Sequence, residues 1–484
     1  MPAEFDVEQF NYTYEADAWG TEGPVHSSLA PFQYTPYLEI MWNAFGDVSP
    51  AIPYPREGAD GSAIGVFWVP ASQDPTTQTR SSARTAYYDP IAYRPNLHLI
   101  TGTKVDKITF RDGNVADGIQ MTGRETNETT SAKASLEVIL AAGPIFSPNV
   151  LQVSGVGPAA MLEEAGIEVV HDLPGVGMNF QDHPTAYLAW SYTTDPYFPS
   201  PSELFTNATY NAEQEALYYA NATGAWTQAR GNSAAFLTLR DIDPEGTDAI
   251  LATLATQNTT AHLPSLYDST SRAGYEKQHA IMSRNLGMDD SAMYEMPFNG
   301  GPTSANAMER PFSRGTISLD PSDPHGLPII DYNAFANPID PRLSASMLQF
   351  TQRYFDSPLF APLAPTPLSP PANTTSVDDL LAWAKQNMSP SFAHPSCSCP
   401  MMPLELGGVV DTELRVYGTQ RLSVVDASVM PLIPATHLQA TVYAVAERAA
   451  DLIKGRNGQE CEEGGKCKGK GKGKGKGRGK KWDH

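Results

Sequence analysis

The chain predicts a mixed α/β fold, α+β in its layering, with more than one domain. Three observations carry this prediction. Hairpin-patterned segments between 97 and 121 lead into an apolar run at 136–140, and a strand, tight turn and helix start follow one another between 422 and 453. Between them lies a long aromatic-rich region in which strand-like and helix-like segments mix.

In chain order, 97–100 and 103–110 are predicted strands, Asp112-Gly113 a hairpin turn and 115–121 its return. A third strand at 136–140 ends at Ala141-Ala142-Gly143. From Ala186 to about Phe392 the pattern is mixed, with a helix over 341–355. The run PLAPTPLSPP at 362–371 is predicted to be a surface connector. Residues 376–386 then form a capped helix with Asp378 and Asp379 in its first turn. The apolar strand 422–425 ends in Asp426-Ala427-Ser428. Val442, Val445, Ala446, Ala449, Leu452 and Ile453 recur at helical spacing, Glu447 and Asp451 keep the other face polar, and Gly455 is the predicted stop.

With 484 residues, 41% of them hydrophobic, the chain can bury a sizeable core and build more than one domain. The 41 prolines and 38 glycines predict many irregular connections. No apolar run is long enough to span a membrane. Charge is divided sharply: segment 464–484 holds nine Lys or Arg and one acid, which leaves −29 on residues 1–463 of a chain whose total is −21. So acidic a body argues against nucleic-acid binding. The Gly/Lys-rich tail is predicted to be disordered, with an anionic polymer or membrane surface as its candidate partner. Asn11, Asn127, Asn207, Asn221, Asn258, Asn373 and Asn387 each begin N-x-S/T, which favours a secreted glycoprotein or passage through the secretory pathway, although no signal peptide is visible. Cys461 and Cys467 could pair in an oxidising compartment, and no zinc framework is present in the four cysteines.

The chemistry concentrates near the C-terminus. His394 opens HPSCSC and His437 follows 43 residues later, at or just before a helix start where unpaired N–H groups favour an anionic ligand. This segment, with its V-D-A-S and Pro-rich turn, resembles the C-terminal part of the glucose-methanol-choline (GMC) family of flavin-dependent oxidoreductases. GPIFSPNVLQVSGVG (143–157) and LPGVGMNFQDHP (173–184) are similar to the family's second signature and the loop after it. RPNLHLITGTKVDKI and RPFSRGTISLDPSDP resemble its cofactor-domain strands and the start of its substrate domain.

The resemblance implies an incomplete FAD-binding Rossmann-like domain with a GMC-type substrate domain on an antiparallel sheet. It divides the chain into a substrate-domain remnant (1–30), an FAD-domain portion (31–185), a substrate-binding domain (186–410), a C-terminal FAD-domain segment (411–455) and the tail (456–484). It implies oxidation of a small-molecule alcohol, with hydride passing to FAD and O2 or another acceptor completing the cycle. His394 is the implied base, and an imidazole suits the task because its pKa lies near working pH. His437 would hold the substrate oxygen. Val105 is expected at the adenine, Ala427 beside the diphosphate-to-ribityl region, Leu438 and Gln439 near the pyrimidine, and Asp426 near the cofactor or capping its turn.

Two departures stand out. The family's G-x-G-x-x-G opening is missing, so the chain is expected to be N-terminally truncated, and Gly155-Val156-Gly157, placed after a polar loop and before a proline, is a decoy. Cys397 and Ser398 replace a Gly and a Thr, which would bring a side chain close to the flavin. The alternatives to alcohol oxidation are non-redox cyclisation in secondary metabolism and an inactive remnant unable to hold FAD. No G-x-S-x-G, H-E-x-x-H or P-loop supports another enzyme class.

Overall fold

The computed structural model describes residues 4–48, 52–228, 232–461 and 467–469. Its largest layer is a six-stranded antiparallel sheet in the order Gly65–Trp68, Ser233–Leu237, Tyr294–Phe298, Thr303–Met308, Thr185–Tyr192, Pro365–Ser369. One face of this sheet meets the helix Ile339–Phe355. Leu343, Met347, Phe350 and Tyr354 of that helix are buried in one cluster with Tyr37, Phe45, Tyr294 and Met296. Each such side chain contributes roughly 1.5–3 kcal/mol by leaving water.

A second core gathers Ile108, Leu140, Leu151, Val176, Val410, Val424 and Ala449. Here Val138–Leu140 and Leu422–Val424 pair in parallel, and a three-stranded antiparallel layer, Thr103–Arg111, Val115–Gly123 and Thr129–Lys133, lies close by. The predicted hairpin is therefore present, and its layer is completed differently. Residues 97–100 form no strand, 129–133 adds a third strand to the layer, and the strand predicted at 136–140 is present as Val138–Leu140 outside that layer. The apolar run pairs with the distant strand 422–424, and Leu140 joins Leu422 and Val424 in the second core.

Three other expectations are corrected. The Pro-rich run contains an edge strand, Pro365–Ser369, where prolines lacking N–H groups are tolerated. The Gly155–Gly157 segment follows the helix Gly143–Val153, not a polar loop, and Val156-Gly157 pairs in parallel with His171-Asp172. Gly155 has φ +83°, and a Cβ there would meet the Glu168 carbonyl at 2.3 Å, so backbone geometry explains the glycine without any phosphate. The helix Thr35–Asp47 and strand Gly65–Trp68, expected with the cofactor portion, pack on the large sheet instead.

The capped helix is Val377–Asn387, with Ser376 Oγ accepting from the Asp379 N–H at 3.1 Å. Its C-terminal counterpart runs Gln439–Arg456, one residue past Gly455, and starts two residues after His437. Most of the predicted tail lies outside the described residues. At its start Gln459–Cys461 and Cys467–Gly469 form a short ladder, with Cys461 and Cys467 opposite each other in register.

Candidate active site

The site is assembled where the chain segment 181–185 meets the loop 389–396. Thr185 and Ser389 exchange both backbone hydrogen bonds at 2.9 Å, and Gln181 and Ser396 exchange theirs at 3.2 and 2.9 Å. Asp182 fastens the loop between these points. Its Oδ1 accepts from the N–H groups of His183, Phe392 and His394 at 2.8, 3.1 and 3.1 Å, while its Oδ2 accepts from the Ser391 hydroxyl at 2.6 Å. Ala393, at φ +60°, turns the chain so that the next side chain, His394, enters a concave pocket.

His394 and His437 stand side by side there, with ring centroids 5.2 Å apart, and Phe392 lies edge-on to both. His437 Nε2 is 2.8 Å from Glu295 Oε1. On the inner side, His394 Nδ1 is 2.9 Å from Nδ1 of His183, whose ring is perpendicular to it and fully buried. Nε2 of His183 is 3.5 Å from Oε2 of an equally buried Glu309.

The electrostatics separate the two pocket histidines. Burial, and then the neighbouring His437, push His394 down to about 4, leaving a neutral ring with a lone pair at neutral pH. For His437 burial works against the charged form, yet the hydrogen bond and charge of Glu295 outweigh it and raise the pKa. One ring is biased toward its neutral form and its neighbour toward its charged form.

The pocket has a volume of about 540 Å³ and is lined by His394, Ala427, His437, Leu438 and Gln439, together with Ala83, Val442 and Tyr443. Thus five of the seven residues singled out in the sequence share one cavity. The other two lie apart. Asp426 accepts from Ser428 N–H at 2.8 Å, Gly143 N–H at 3.0 Å and the Ser147 hydroxyl at 2.6 Å, which ties the two parallel strands' ends together. Val105 sits on the strand Thr103–Arg111, partly exposed and away from this pocket.

Cys397 also departs from expectation. Its backbone is left-handed, φ +72°, which explains why glycine suits the position, but its side chain turns into a cluster with Ala427, Met430, Ile433 and Leu438 and does not line the pocket. Burial pushes its thiol up to about 12. Another cavity, about 450 Å³, lies between Phe10, Trp42, Tyr54 and Trp68 and contains no histidine.

Sequence reading missed His183, Asp182, Glu295 and Glu309. The first two stand inside the quoted NFQDHP, where the adjacent acid and imidazole were a usable signal. Glu295 and Glu309 had none, since neither belongs to a motif and only strand pairing aims it at the site.

Known proteins agree with this architecture. Family models described as GMC oxidoreductase match residues 26–185 and 311–446. The dehydrogenase xptC of Emericella nidulans is 35% identical over 455 residues, spanning 93% of this chain and 72% of that protein. Among solved structures, an FAD-dependent oxidoreductase from Chaetomium thermophilum superposes with a TM-score of 0.90 at 35% identity, over 94% of this chain and 78% of the other. A fungal aryl-alcohol oxidase gives 0.88 at 34%, over 94% and 77%. The chain belongs to the GMC oxidoreductase family. It is an oxidoreductase acting on CH–OH groups, with FAD as cofactor.

The residues present fit the redox end of that cofactor. A concave wall formed by small Ala427 and by Leu438 and Gln439, at a helix start whose first N–H groups lack intrahelical acceptors, suits a flat ring that gains negative charge on reduction.

Proposed function

We propose that the protein oxidises a small alcohol, with His394 as general base and His437 as the group that holds the substrate oxygen. The observation that carries this reading is the pair of adjacent imidazoles with opposite pKa displacement in one pocket. FAD, when bound against Ala427, Leu438 and Gln439, supplies the hydride acceptor. His394 Nε2 takes the hydroxyl proton, and His437, held by Glu295, donates to the oxygen as negative charge develops there. Phe392 stands edge-on to both rings. Val105 would meet the adenine end, and Asp426 acts by holding Gly143 and Ser147 in place.

The seven sequons support a secretory route. O2 or another acceptor completes the cycle.

The test is His394→Ala in the FAD-loaded protein. Reduction by alcohol, followed by the visible flavin spectrum, should fall by about 10²-fold or more while FAD stays bound. Unchanged reduction kinetics would remove His394 from the role of base.

A further inference from the structure

We propose that His183 is a positioning residue for His394: its Nδ1 accepts the Nδ1–H of His394, so that the lone pair on His394 Nε2 faces the pocket, and Glu309 lies against the far side of the His183 ring. This rests on His394 being the base and adds to that reading how its protonation pattern is set.

Strand register creates the arrangement. Thr185 pairs with Ala307, and Met308 N–H donates to the Pro184 carbonyl at 2.9 Å, so continuing the ladder sets His183 opposite Glu309. On the other side Glu309 N–H donates to Met293 at 2.8 Å while Glu295 pairs with Ala307, which puts both glutamates on one sheet face as diagonal neighbours. The loop carrying His394 is fastened against 181–185 by Asp182.

Proton counting then decides the tautomers. Two ring nitrogens 2.9 Å apart share one hydrogen, since two would clash and none would repel. His183 is neutral, because burial, and then His394 and His437, press its pKa well below the usual value. Its Nε2 is buried 3.5 Å from Oε2 of Glu309, and the nearby Pro434 carbonyl, an acceptor only, favours a proton on the ring. That side calls for Nε2–H, which leaves Nδ1 as the acceptor and obliges His394 to donate.

Glu309 is itself anchored. Both its oxygens and Glu295 Oε2 are buried without a donor, and a proton shared between the two carboxyls satisfies them. Burial, and then the Glu295 charge, raise Glu309 accordingly, against a smaller opposing effect of Arg310. A line of groups therefore runs from His394 through His183, Glu309 and Glu295 to His437, with both ends in the pocket. When the alcohol proton arrives on His394 Nε2, the hydrogen bond from its Nδ1–H to the neutral His183 ring stabilises the charge that develops on His394.

The first experiment uses the chain as it is, ¹⁵N-labelled at histidine. NMR should show a pair of Nδ1 nitrogens coupled through a hydrogen bond, with an unprotonated Nε2 on His394, and the coupling should vanish in His183→Gln. A protonated Nε2 on His394, or no coupled pair, overturns the proposal. In Glu309→Gln, which preserves shape if His183→Gln does not fold, the Nε2–H tautomer of His394 should become populated; an unchanged spectrum overturns the part given to Glu309. In the FAD-loaded enzyme His183→Gln should lower kcat about 10²-fold with KM little changed. Normal reduction by His394→Ala would refute the base reading, whereas loss there with an unaltered His183→Gln would refute only the positioning role.

Discussion

The carboxylate of Asp182 accepts a hydrogen bond from the backbone N–H of His394 at 3.1 Å, joining two loops that are distant in sequence. The same carboxylate satisfies His183, Ser391 and Phe392, so four donors depend on one buried side chain. Asp182→Ala should destabilise the protein by about 3 kcal/mol, the order of leaving several buried donors without an acceptor. A lowered denaturation midpoint checks this, and Asp182→Asn should recover part of it. A midpoint equal to wild type would show that the loop is held by other contacts.

The pH profile follows from the two pocket rings. As the proposed base His394 must be deprotonated to work, and burial pushes it down to about 4, so kcat/KM should stay level from neutral pH downward and fall below about 4. His437 is displaced upward, so activity should decline on the alkaline side, above the ordinary histidine value, as its proton leaves. An acid limb at the ordinary 6.5 would contradict the burial of His394.

Stability has its own acid dependence. Because the folded-state pKa of His394 is depressed, the unfolded chain binds more protons between pH 6.5 and about 4, and stability falls as pH is lowered through that window. The loss from this residue is about 3 kcal/mol. Upward-shifted Glu309 acts in the opposite sense, favouring the fold at low pH and losing that contribution as pH rises. Comparing wild type with His394→Ala in denaturant titrations at pH 6.5 and 4.5 isolates the histidine contribution; equal pH slopes would refute it.

Cys397 combines a buried thiol with a left-handed backbone. It and Cys399 should resist a thiol reagent such as DTNB in native protein at pH 8 and react on unfolding. Cys397→Val should cost about 2 kcal/mol or more, because a β-branched side chain is poorly tolerated at φ +72°. Cys397→Gly should stay within about 1 kcal/mol of wild type, since relief of backbone strain offsets lost packing.

The sequons are placed for modification. Asn11, Asn127, Asn221, Asn373 and Asn387 are all exposed. Expression through a eukaryotic secretory pathway should give a product whose mass drops on treatment with an N-glycosidase. A product of unmodified mass would count against the secretory proposal.

How much was legible can be seen residue by residue. The strand-turn-helix around Asp426, the helix start after His437 and the cap at Ser376 were all readable, because each depends on periodicity and turn chemistry within a few residues. The partner of 138–140 was not readable. A short apolar strand carries no mark of which other strand will cover it, and the choice fell on 422–424.

The sequence by itself determined the family, the two pocket histidines and the small residues around them, since these are carried by local motifs whose spacing survives without any knowledge of packing. Tertiary structure alone decided that His183 and Glu309 stand behind them. Antiparallel register brings 183 opposite 309, and burial then shifts an ordinary imidazole and an ordinary carboxyl toward their neutral forms.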